Sequence, residues 1–305
     1  MPRMNPLHFQ LEAPFGFSLS QATDFYAGFA PMGGAAQQRE RKLQLAFRLD
    51  DSFEAVSATL QQVGTRLDVE LEGTKDVALV SRQLSRMLGL SVDGRAWAAI
   101  GQADPTLGAL KQFFPGFFTA GFPSPYEAGV SGVLSQRSSV RQAGALRRRL
   151  SEAHGTKVGG LFVMPSPEQL LHVKAFAGIP APKLEVLHGL ARAALVGKLD
   201  ADLLRELPVE VALERLQQLK GIGPWTATHM LVRGCSAQDV LPTTEPRVLR
   251  AFTLAYGLPA SELHRVAEAW RPFRTWACII LMRNLARAGQ WEAVPDDFKR
   301  RGKAA

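Results

Sequence analysis

The first third of the chain contains two segments in which apolar and polar residues alternate. An apolar residue stands at every second position of KLQLAFRLD (42–50) and of RLDVELEG (66–73). Because successive side chains of a strand point to opposite faces, this pattern predicts two strands that each bury one face. The segment MGGAAQQRERK (32–42) is polar and short, and it is predicted to be a loop.

Helical patterns account for most of the remaining chain. Two of them lie in the first third, at ATDFYAGFA (22–30) and DVALVSRQLSRMLGL (76–90), and further helix starts recur from about residue 100 onwards. In SPYE (124–127) and SPEQ (166–169), serine precedes proline and Glu or Gln stands three positions after the serine. This arrangement predicts a capping box at a helix start. The run GLFV (160–163) is too short to predict a strand.

These patterns predict two domains and a tail. We expect a mixed α+β domain over residues 1–105, a mostly α-helical domain over 106–295 and a basic tail over 296–305. Because no internal repeat or long linker separates the two domains, we expect them to pack together.

A tight glycine turn stands between two apolar helical stretches at LKGIGPWTA (219–227). Gly221 and Gly223 can adopt backbone angles closed to other residues, and Pro224 suits the first turn of a new helix. The segment is therefore predicted to form a helix, a hairpin turn and a second helix. The amides at the start of the second helix could hold an anion; a purely structural turn is the alternative.

An acidic residue is predicted at the start of a later helix. In CSAQDVLPTTEPRVLRAF (235–252), Pro242 breaks the chain and Pro246 opens the next helix, so Glu245 is extended at its entrance. A carboxylate near the positive end of a helix dipole tends to stay ionised. An ordinary surface acid beside a helix start is the alternative.

Composition and charge favour a polyanionic partner. The chain has 305 residues, a formal net charge of +8 and a pI of about 9.8, and this balance favours nucleic acid, although solvated basic faces would also account for it. The two cysteines, Cys235 and Cys278, are too few for a four-cysteine metal site and predict reduced, buried thiols. No apolar run is long enough to span a bilayer and no signal-peptide pattern is present, so we expect a cytoplasmic protein.

The hairpin and the downstream acid together resemble a known family. LKGIGPWTATHMLVRG followed by DVLPTTEPR is similar to the helix–hairpin–helix DNA glycosylase superfamily, and most of all to its bacterial 3-methyladenine DNA glycosylase II branch. SPYEAGVSGVLSQRSSVRQAGALRRRL resembles the family's helix and wedge-loop segment, and GIPAPKLEVLHGLARAALVGKLD resembles the helical segment before its hairpin. The layout of the N-terminal third fits the TATA-binding-protein-like domain of this branch.

The resemblance implies a monofunctional enzyme of base excision repair. Such enzymes flip an alkylated base, of the 3-methyladenine type, out of duplex DNA and hydrolyse its N-glycosidic bond, leaving an abasic site. Glu245 stands where the family carries its catalytic aspartate, six positions after Asp239, which the resemblance marks as structural. The added methylene moves the carboxylate by roughly 1.5 Å, a displacement that can cost about a hundredfold in rate. A non-catalytic binder of damaged DNA and a general DNA-binding module therefore remain alternatives.

The resemblance also assigns the remaining site residues. Trp225 occupies the position of the lysine that gives bifunctional members their lyase chemistry. The resemblance implies DNA-backbone contacts from the hairpin, a wedge that fills the gap left by the flipped base, and a pocket for the base. The hairpin residues are Lys220, Gly221, Ile222 and Gly223, the wedge residues are Gln136 and Arg137, and the pocket residues are Trp225, His229, Met282 and Tyr126. The partner that the resemblance implies is double-stranded DNA containing damaged bases, so the protein is expected to associate with the nucleoid. The sequence gives no sign of oligomerisation or of a membrane partner, so a monomer is the default expectation. The resemblance also implies no cofactor and no side-chain metal site, but a monovalent cation could bind the hairpin carbonyls.

Overall fold

The computed structural model of the chain describes residues 6–28, 32, 34–39 and 41–290. The predicted basic tail, residues 296–305, lies outside these residues.

The first third of the chain folds into an antiparallel sheet of five strands in the spatial order β1-β5-β4-β3-β2. The strands are β1 (Leu7–Glu12), β2 (Ala36–Arg39), β3 (Lys42–Arg48), β4 (Ala55–Val63) and β5 (Arg66–Glu72). The two predicted strands are present as β3 and β5, and Leu67, Val69 and Leu71 of β5 are buried on one face, as predicted. For β3 the prediction of a single buried face is wrong, because Gln44, Ala46 and Arg48 are buried as well. The two helices predicted in this region are confirmed as α1 (Leu19–Gly28) and α2 (Val77–Leu88).

The prediction of a loop over residues 32–42 is wrong, because it contains strand β2. Gln37 of β2 pairs with Gln44 of β3 at the edge of the sheet. Backbone hydrogen bonds hold such an edge strand, and they do not require apolar side chains. The sequence patterns also missed β1 and β4. Strand β4 carries serine, threonine and glutamine among its apolar residues, which blurs the alternation.

Helices dominate the rest of the chain. They are α3 (Gly94–Ala103), α4 (Pro105–Lys111), α5 (Pro125–Ser135), α6 (Val140–His154), α7 (Pro167–Leu171), α8 (Ala181–Leu195), α9 (Ala201–Glu206), α10 (Val209–Gln217), α11 (Pro224–His229), α12 (Pro246–Tyr256), α13 (Leu263–Ala267) and α14 (Arg274–Arg287). Helix α11 continues as a π-helical turn over Met230–Gly234, and 3₁₀ turns lie at Ala260–Glu262 and Glu268–Trp270.

A two-stranded hairpin, formed by β6 (Thr156–Val158) and β7 (Leu161–Val163), follows α6. The GLFV segment therefore does include a strand, contrary to the sequence prediction. Leu161 and Val163 are buried with Ala46 of β3 in a small cluster. Contact with the sheet stabilises this hairpin. The number of apolar residues in a short segment does not reveal such a contact.

The two predicted capping boxes differ. At α7, Ser166 and Gln169 exchange both hydrogen bonds of the box, as predicted. At α5, Ser124 accepts from the Glu127 amide, but the Glu127 side chain pairs with Arg147 instead of returning to Ser124.

One continuous hydrophobic core spans the sheet and the helices. Polar side chains also join the two parts: Arg48 of β3 donates to the Met164 carbonyl at 2.9 Å, and the Tyr26 hydroxyl of α1 donates to the Gly121 carbonyl at 2.9 Å. The division at residue 105 and the likeness to a TATA-binding-protein domain stay predictions.

Candidate functional site

The helix, turn and helix predicted around LKGIGPWTA are present as α10, a tight turn and α11. The turn closes through a 3.0 Å hydrogen bond from the Ile222 amide to the Leu219 carbonyl, and the Ile222 side chain is buried. Gly221 has a φ of +81°, a left-handed conformation that favours glycine. Lys220 projects from the turn with 89% of its side chain exposed, and its Nζ lies 3.9 Å from Glu185 Oε2.

The predicted wedge residues lie beside this turn. Gln136 follows α5 and donates from Nε2 to the Gly221 carbonyl at 3.2 Å. Lys183 of α8 donates from Nζ to the Gln136 carbonyl at 2.9 Å. Arg137 is exposed and has a left-handed backbone, with a φ of +56°. The structure thus brings the wedge and the hairpin onto one surface, with the Arg137 side chain open to solvent.

Glu245 is the N-cap of α12, and hydrogen bonds hold both of its carboxylate oxygens. Oε1 accepts from the Arg247 amide at 3.1 Å, and Oε2 accepts from Trp225 Nε1 at 3.0 Å. The Arg247 guanidinium lies 3.9 Å from Oε1, and the Glu245 side chain is only 16% exposed. The carboxylate therefore has a defined position next to the first turn of α11.

Trp225 and His229 stack on each other one helical turn apart. Their ring centroids are 5.1 Å apart and their planes differ by 7°, while Phe122 meets His229 edge-on at 5.6 Å. Burial and the charge of Arg233 lower the pKa of His229 to about 3, so the ring is neutral at physiological pH. Its Nε2 is enclosed and has no hydrogen-bond partner among the described residues.

Two arginines that the sequence analysis did not single out stand near this group. Burial lowers the pKa of Arg233 to about 10, although the negative charge of Glu245 raises it. Nη1 of Arg233 donates to the Ala120 carbonyl at 3.2 Å. Arg283 of α14 interacts electrostatically with Arg233, and its guanidinium lies 4.9 and 4.6 Å from the ring centroids of Phe114 and Phe117.

A sequence signal for Arg233 did exist, because it follows Trp225 and His229 at the same four-residue spacing. Arg233 lies in the π-helical turn that follows α11, and this turn changes the direction in which its side chain projects from the helix. Such turns are frequent at functional sites. The signal for Arg283 was weaker: it is adjacent in sequence to a predicted pocket residue.

The structure does not bring Tyr126 to this group, which corrects its assignment to the base pocket. Its ring is 1% exposed and meets Phe53 edge-on, and its hydroxyl donates to the Pro165 carbonyl at 3.1 Å. Position 126 lies in the first turn of a helix that is buried along nearly its whole length, so the Tyr126 ring packs in the core.

Met282 is half-buried on α14 and packs against the core. Its place in the pocket stays a prediction.

Asp239 is held in a structural role. Its carboxylate accepts from Arg274 Nε at 2.8 Å and from Arg271 Nη1 at 2.9 Å, and these bonds join the segment before α12 to α14.

Cys235 and Cys278 are free, buried thiols, and burial raises the pKa of both.

Within the described part of the chain, no group of three or more His, Cys, Asp or Glu side chains could hold a metal ion. No helix there combines the length and the hydrophobicity that a membrane span requires.

The chain is similar to curated proteins that are named as DNA repair glycosylases. It is 32% identical over 180 residues to "DNA-3-methyladenine glycosylase 2" of Escherichia coli. The matched region covers 57% of this chain and 62% of that protein. It is 28% identical over 297 residues to "Probable bifunctional transcriptional activator/DNA repair enzyme AlkA" of Mycobacterium tuberculosis. That match covers 93% of this chain and 58% of that protein. The matched region thus spans about three fifths of the length of each relative. No model of a known protein family matches the chain.

The fold is similar to a solved structure described as a 3-methyladenine DNA glycosylase from Archaeoglobus fulgidus. The TM-score is 0.76 at 21% identity, and the match covers 92% of this chain and 98% of that one. The sequence relatives agree with the resemblance to the helix–hairpin–helix DNA glycosylase superfamily that the hairpin and the downstream acid carry, and the solved structure shows a shared fold.

Proposed function

We propose that the protein is a monofunctional DNA N-glycosylase that flips alkylated bases of the 3-methyladenine type out of duplex DNA and excises them, leaving an abasic site. The observation that carries the proposal is the anchored carboxylate of Glu245 at the start of α12, beside the indole of Trp225. The names of the sequence relatives support the same activity class.

Glu245 supplies the chemistry in this proposal. Its negative charge stabilises the oxocarbenium-like sugar that forms as the glycosidic bond breaks, and it activates the attacking water. Glutamate has one methylene more than aspartate, so its side chain can adopt more conformations. Here two hydrogen bonds hold the carboxylate of Glu245 in place. Trp225 has no amine with which to form a Schiff base, and Lys220 projects into solvent, so the proposed reaction stops at hydrolysis.

The hairpin and the wedge bind duplex DNA in this proposal. The turn presents Lys220 and the Gly223 amide at the start of α11 to phosphate, whereas the Ile222 amide already donates to the Leu219 carbonyl. Such contacts position DNA without reading its sequence. Carbonyl oxygens of the same turn are ligands that a monovalent cation accepts. Gly221 O is one of them, and its hydrogen bond from Gln136 would weaken when the cation binds.

The test is base release from methylated duplex DNA by the wild type and Glu245→Gln. We expect free 3-methyladenine and 7-methylguanine from the wild type and loss of release in the variant, with unchanged duplex binding. Glu214→Gln, an exposed acid on α10, is the matched control and keeps full release. Binding without release by the wild type would identify a non-catalytic binder of damaged DNA. A covalent adduct trapped by borohydride would contradict the monofunctional chemistry.

A further inference from the structure

A small aromatic cavity lies where α3 meets the loop before α1 and the segment after α4. Its volume is about 170 Å³. Drug-sized ligands and cofactors occupy pockets of roughly 300–1,000 Å³, so this cavity has room for one ring-sized group and no more. We call it the Trp97 cavity, and its aromatic walls are Phe15, Trp97, Phe114, Phe117 and Phe118.

A groove of about 470 Å³ continues from the Trp97 cavity along α3 and α4, and we call it the α3–α4 groove. The cavity and the groove share the lining residues Ala98, Lys111 and Pro115. Gly101 and Gly108 also line the groove, and the helices approach so closely there that a Cβ on Gly108 would lie 2.2 Å from the Gly101 carbonyl oxygen. Because these two positions carry no side chain, the main chain of a bound peptide can lie close to the helices.

Among the described residues that line these two spaces, Lys111 is the one that carries a charge, and none is acidic. Its Nζ donates to the Trp97 carbonyl and lies 3.8 Å from the centroid of the Trp97 ring. An ammonium group has three donors, so donors remain for a ligand. Burial lowers the pKa of Lys111 to about 8. A partly buried ammonium group beside no carboxylate favours the binding of an anion.

The two spaces together fit a ligand that carries an anion directly beside a ring-sized apolar group. The last residue of a protein chain has this chemistry, because its side chain and its carboxylate are attached to one Cα. With the carboxylate at Lys111, the side chain reaches the Trp97 cavity and the preceding residues follow the α3–α4 groove. The Arg95 guanidinium, 4.7 Å from the centroid of the exposed Phe15 ring, adds positive charge beside the cavity and favours acidic residues in that segment.

We propose that the Trp97 cavity and the α3–α4 groove bind the C-terminus of an acidic partner protein whose last residue is aromatic. The aromatic side chain enters the cavity and the terminal carboxylate pairs with Lys111. Capture of a C-terminal carboxylate is a recurring mode of peptide recognition. Neither space is lined by a residue of the proposed catalytic group or of the hairpin, so the partner binds at a surface separate from both.

The experiment measures fluorescence polarisation of a dye-labelled peptide of aspartates that ends in Leu-Phe with a free carboxylate, titrated with the full-length protein. We expect saturable binding that weakens by about tenfold or more when the terminal carboxylate is an amide, when alanine replaces the last phenylalanine, and in Lys111→Met. Methionine keeps an unbranched apolar side chain on the Trp97 ring and removes the charge. In Lys111→Met the carboxylate and amide peptides should bind equally, because the two changes remove the same interaction. Lys75→Met, at an exposed lysine that lines neither space, is the control and binds as the wild type does.

Ala98→Glu is a second variant, in case Lys111→Met folds poorly. Ala98 is exposed and lines both spaces, so a glutamate there narrows the groove and repels an acidic peptide. We expect binding about tenfold weaker or more. Ala99→Glu, at the next position of the same helix, is exposed and lines neither space, so it is the matched control and leaves binding unchanged.

Equal binding of the carboxylate and amide peptides by the wild type, equal binding by the wild type and Ala98→Glu, or no binding at all overturns the inference. Tighter binding of labelled oligothymidine than of the peptide, lost in Ala98→Glu and kept in Ala99→Glu, also overturns it, because the groove would then hold single-stranded DNA. No outcome depends on base release, so the glycosylase proposal stands or falls separately, on Glu245→Gln.

Discussion

At the scale of single residues, the main departure from the motif that the chain resembles is the glutamate at position 245. The carboxylate of a glutamate reaches further than that of an aspartate, and a free side chain would place it variably. The indole of Trp225 and the amide of Arg247 each hold one oxygen, and a hydrogen bond to a charged group is among the stronger ones in proteins. The side chain that stacks on His229 therefore also positions the proposed catalytic carboxylate.

His229 makes stability depend on pH. Its pKa is lowered to about 3 in the folded protein from an ordinary value of 6.5, so between these values the unfolded chain binds the proton and the folded chain does not. Stability is therefore full above pH 6.5 and falls as the pH decreases. At pH 5 this single group lowers the free energy of unfolding by about 2 kcal/mol at most.

Urea denaturation at pH 5 and pH 8 measures this dependence. His229→Gln, which cannot titrate, is expected to lose less stability between the two pH values than the wild type. The matched control is His172→Gln, at an exposed histidine. An equal loss in wild type and His229→Gln contradicts the assignment.

At the scale of elements, the hairpin between α10 and α11 depends on one glycine. A Cβ at Gly221 would lie 2.4 Å from Val186 Cγ2 of α8, and the φ of +81° disfavours any other residue. The close approach of α8 to the turn thus requires that Gly221 has no side chain. The same turn carries the carbonyl that Gln136 of the wedge contacts.

We expect Gly221→Ala to lower the free energy of unfolding by at least about 1–2 kcal/mol from backbone strain, and by more from the contact with Val186. Its affinity for duplex DNA should fall as the turn deforms. Gly223→Ala is the control for stability, since its φ is −88° and no described atom lies within 4 Å of the added Cβ; Gly197→Ala, which lies outside the hairpin, is the control for duplex affinity. Thermal unfolding and duplex titration measure both effects; equal behaviour of Gly221→Ala and its controls would be evidence against the role of Gly221.

At the scale of the whole molecule, a buried ion pair connects α5, α6 and the sheet. Glu127 and Arg147 form an ion pair in which both side chains are 1% exposed, and Arg147 also donates to the Glu127 carbonyl at 3.1 Å. The other carboxylate oxygen of Glu127 accepts from the Arg48 amide of β3 at 3.5 Å. Charges this deeply buried are tolerated only as a pair.

Arg147→Met is expected to reduce the free energy of unfolding by about 3–5 kcal/mol, because it leaves the Glu127 carboxylate buried without its partner. Arg149→Met, two positions further along the same helix and exposed, should change it by no more than about 0.5 kcal/mol. Chemical denaturation of both variants measures the difference. A small effect at Arg147 would mean that water or another group reaches Glu127.

Local patterns determined much of this protein. Alternation along β3 and β5 and the capping residues before α7 act within a few neighbouring residues, so the sequence alone predicted them. The prolines at positions 242 and 246 likewise placed Glu245 at a helix start, and the resemblance placed it in the order hairpin, then acid. The same reasoning missed β2 and the β6–β7 hairpin, whose stability comes from pairing and packing with distant strands.

Only the tertiary structure decided which side chains surround the proposed catalytic carboxylate. Sequence reasoning placed Tyr126 in the pocket, but the packing of α5 buries it against Phe53. Sequence reasoning also gave no role to Arg233, which lies in the π-helical turn after α11 and interacts electrostatically with Glu245. Local periodicity sets the face of an element that is buried, whereas charge at a site depends on elements that are far apart in the chain.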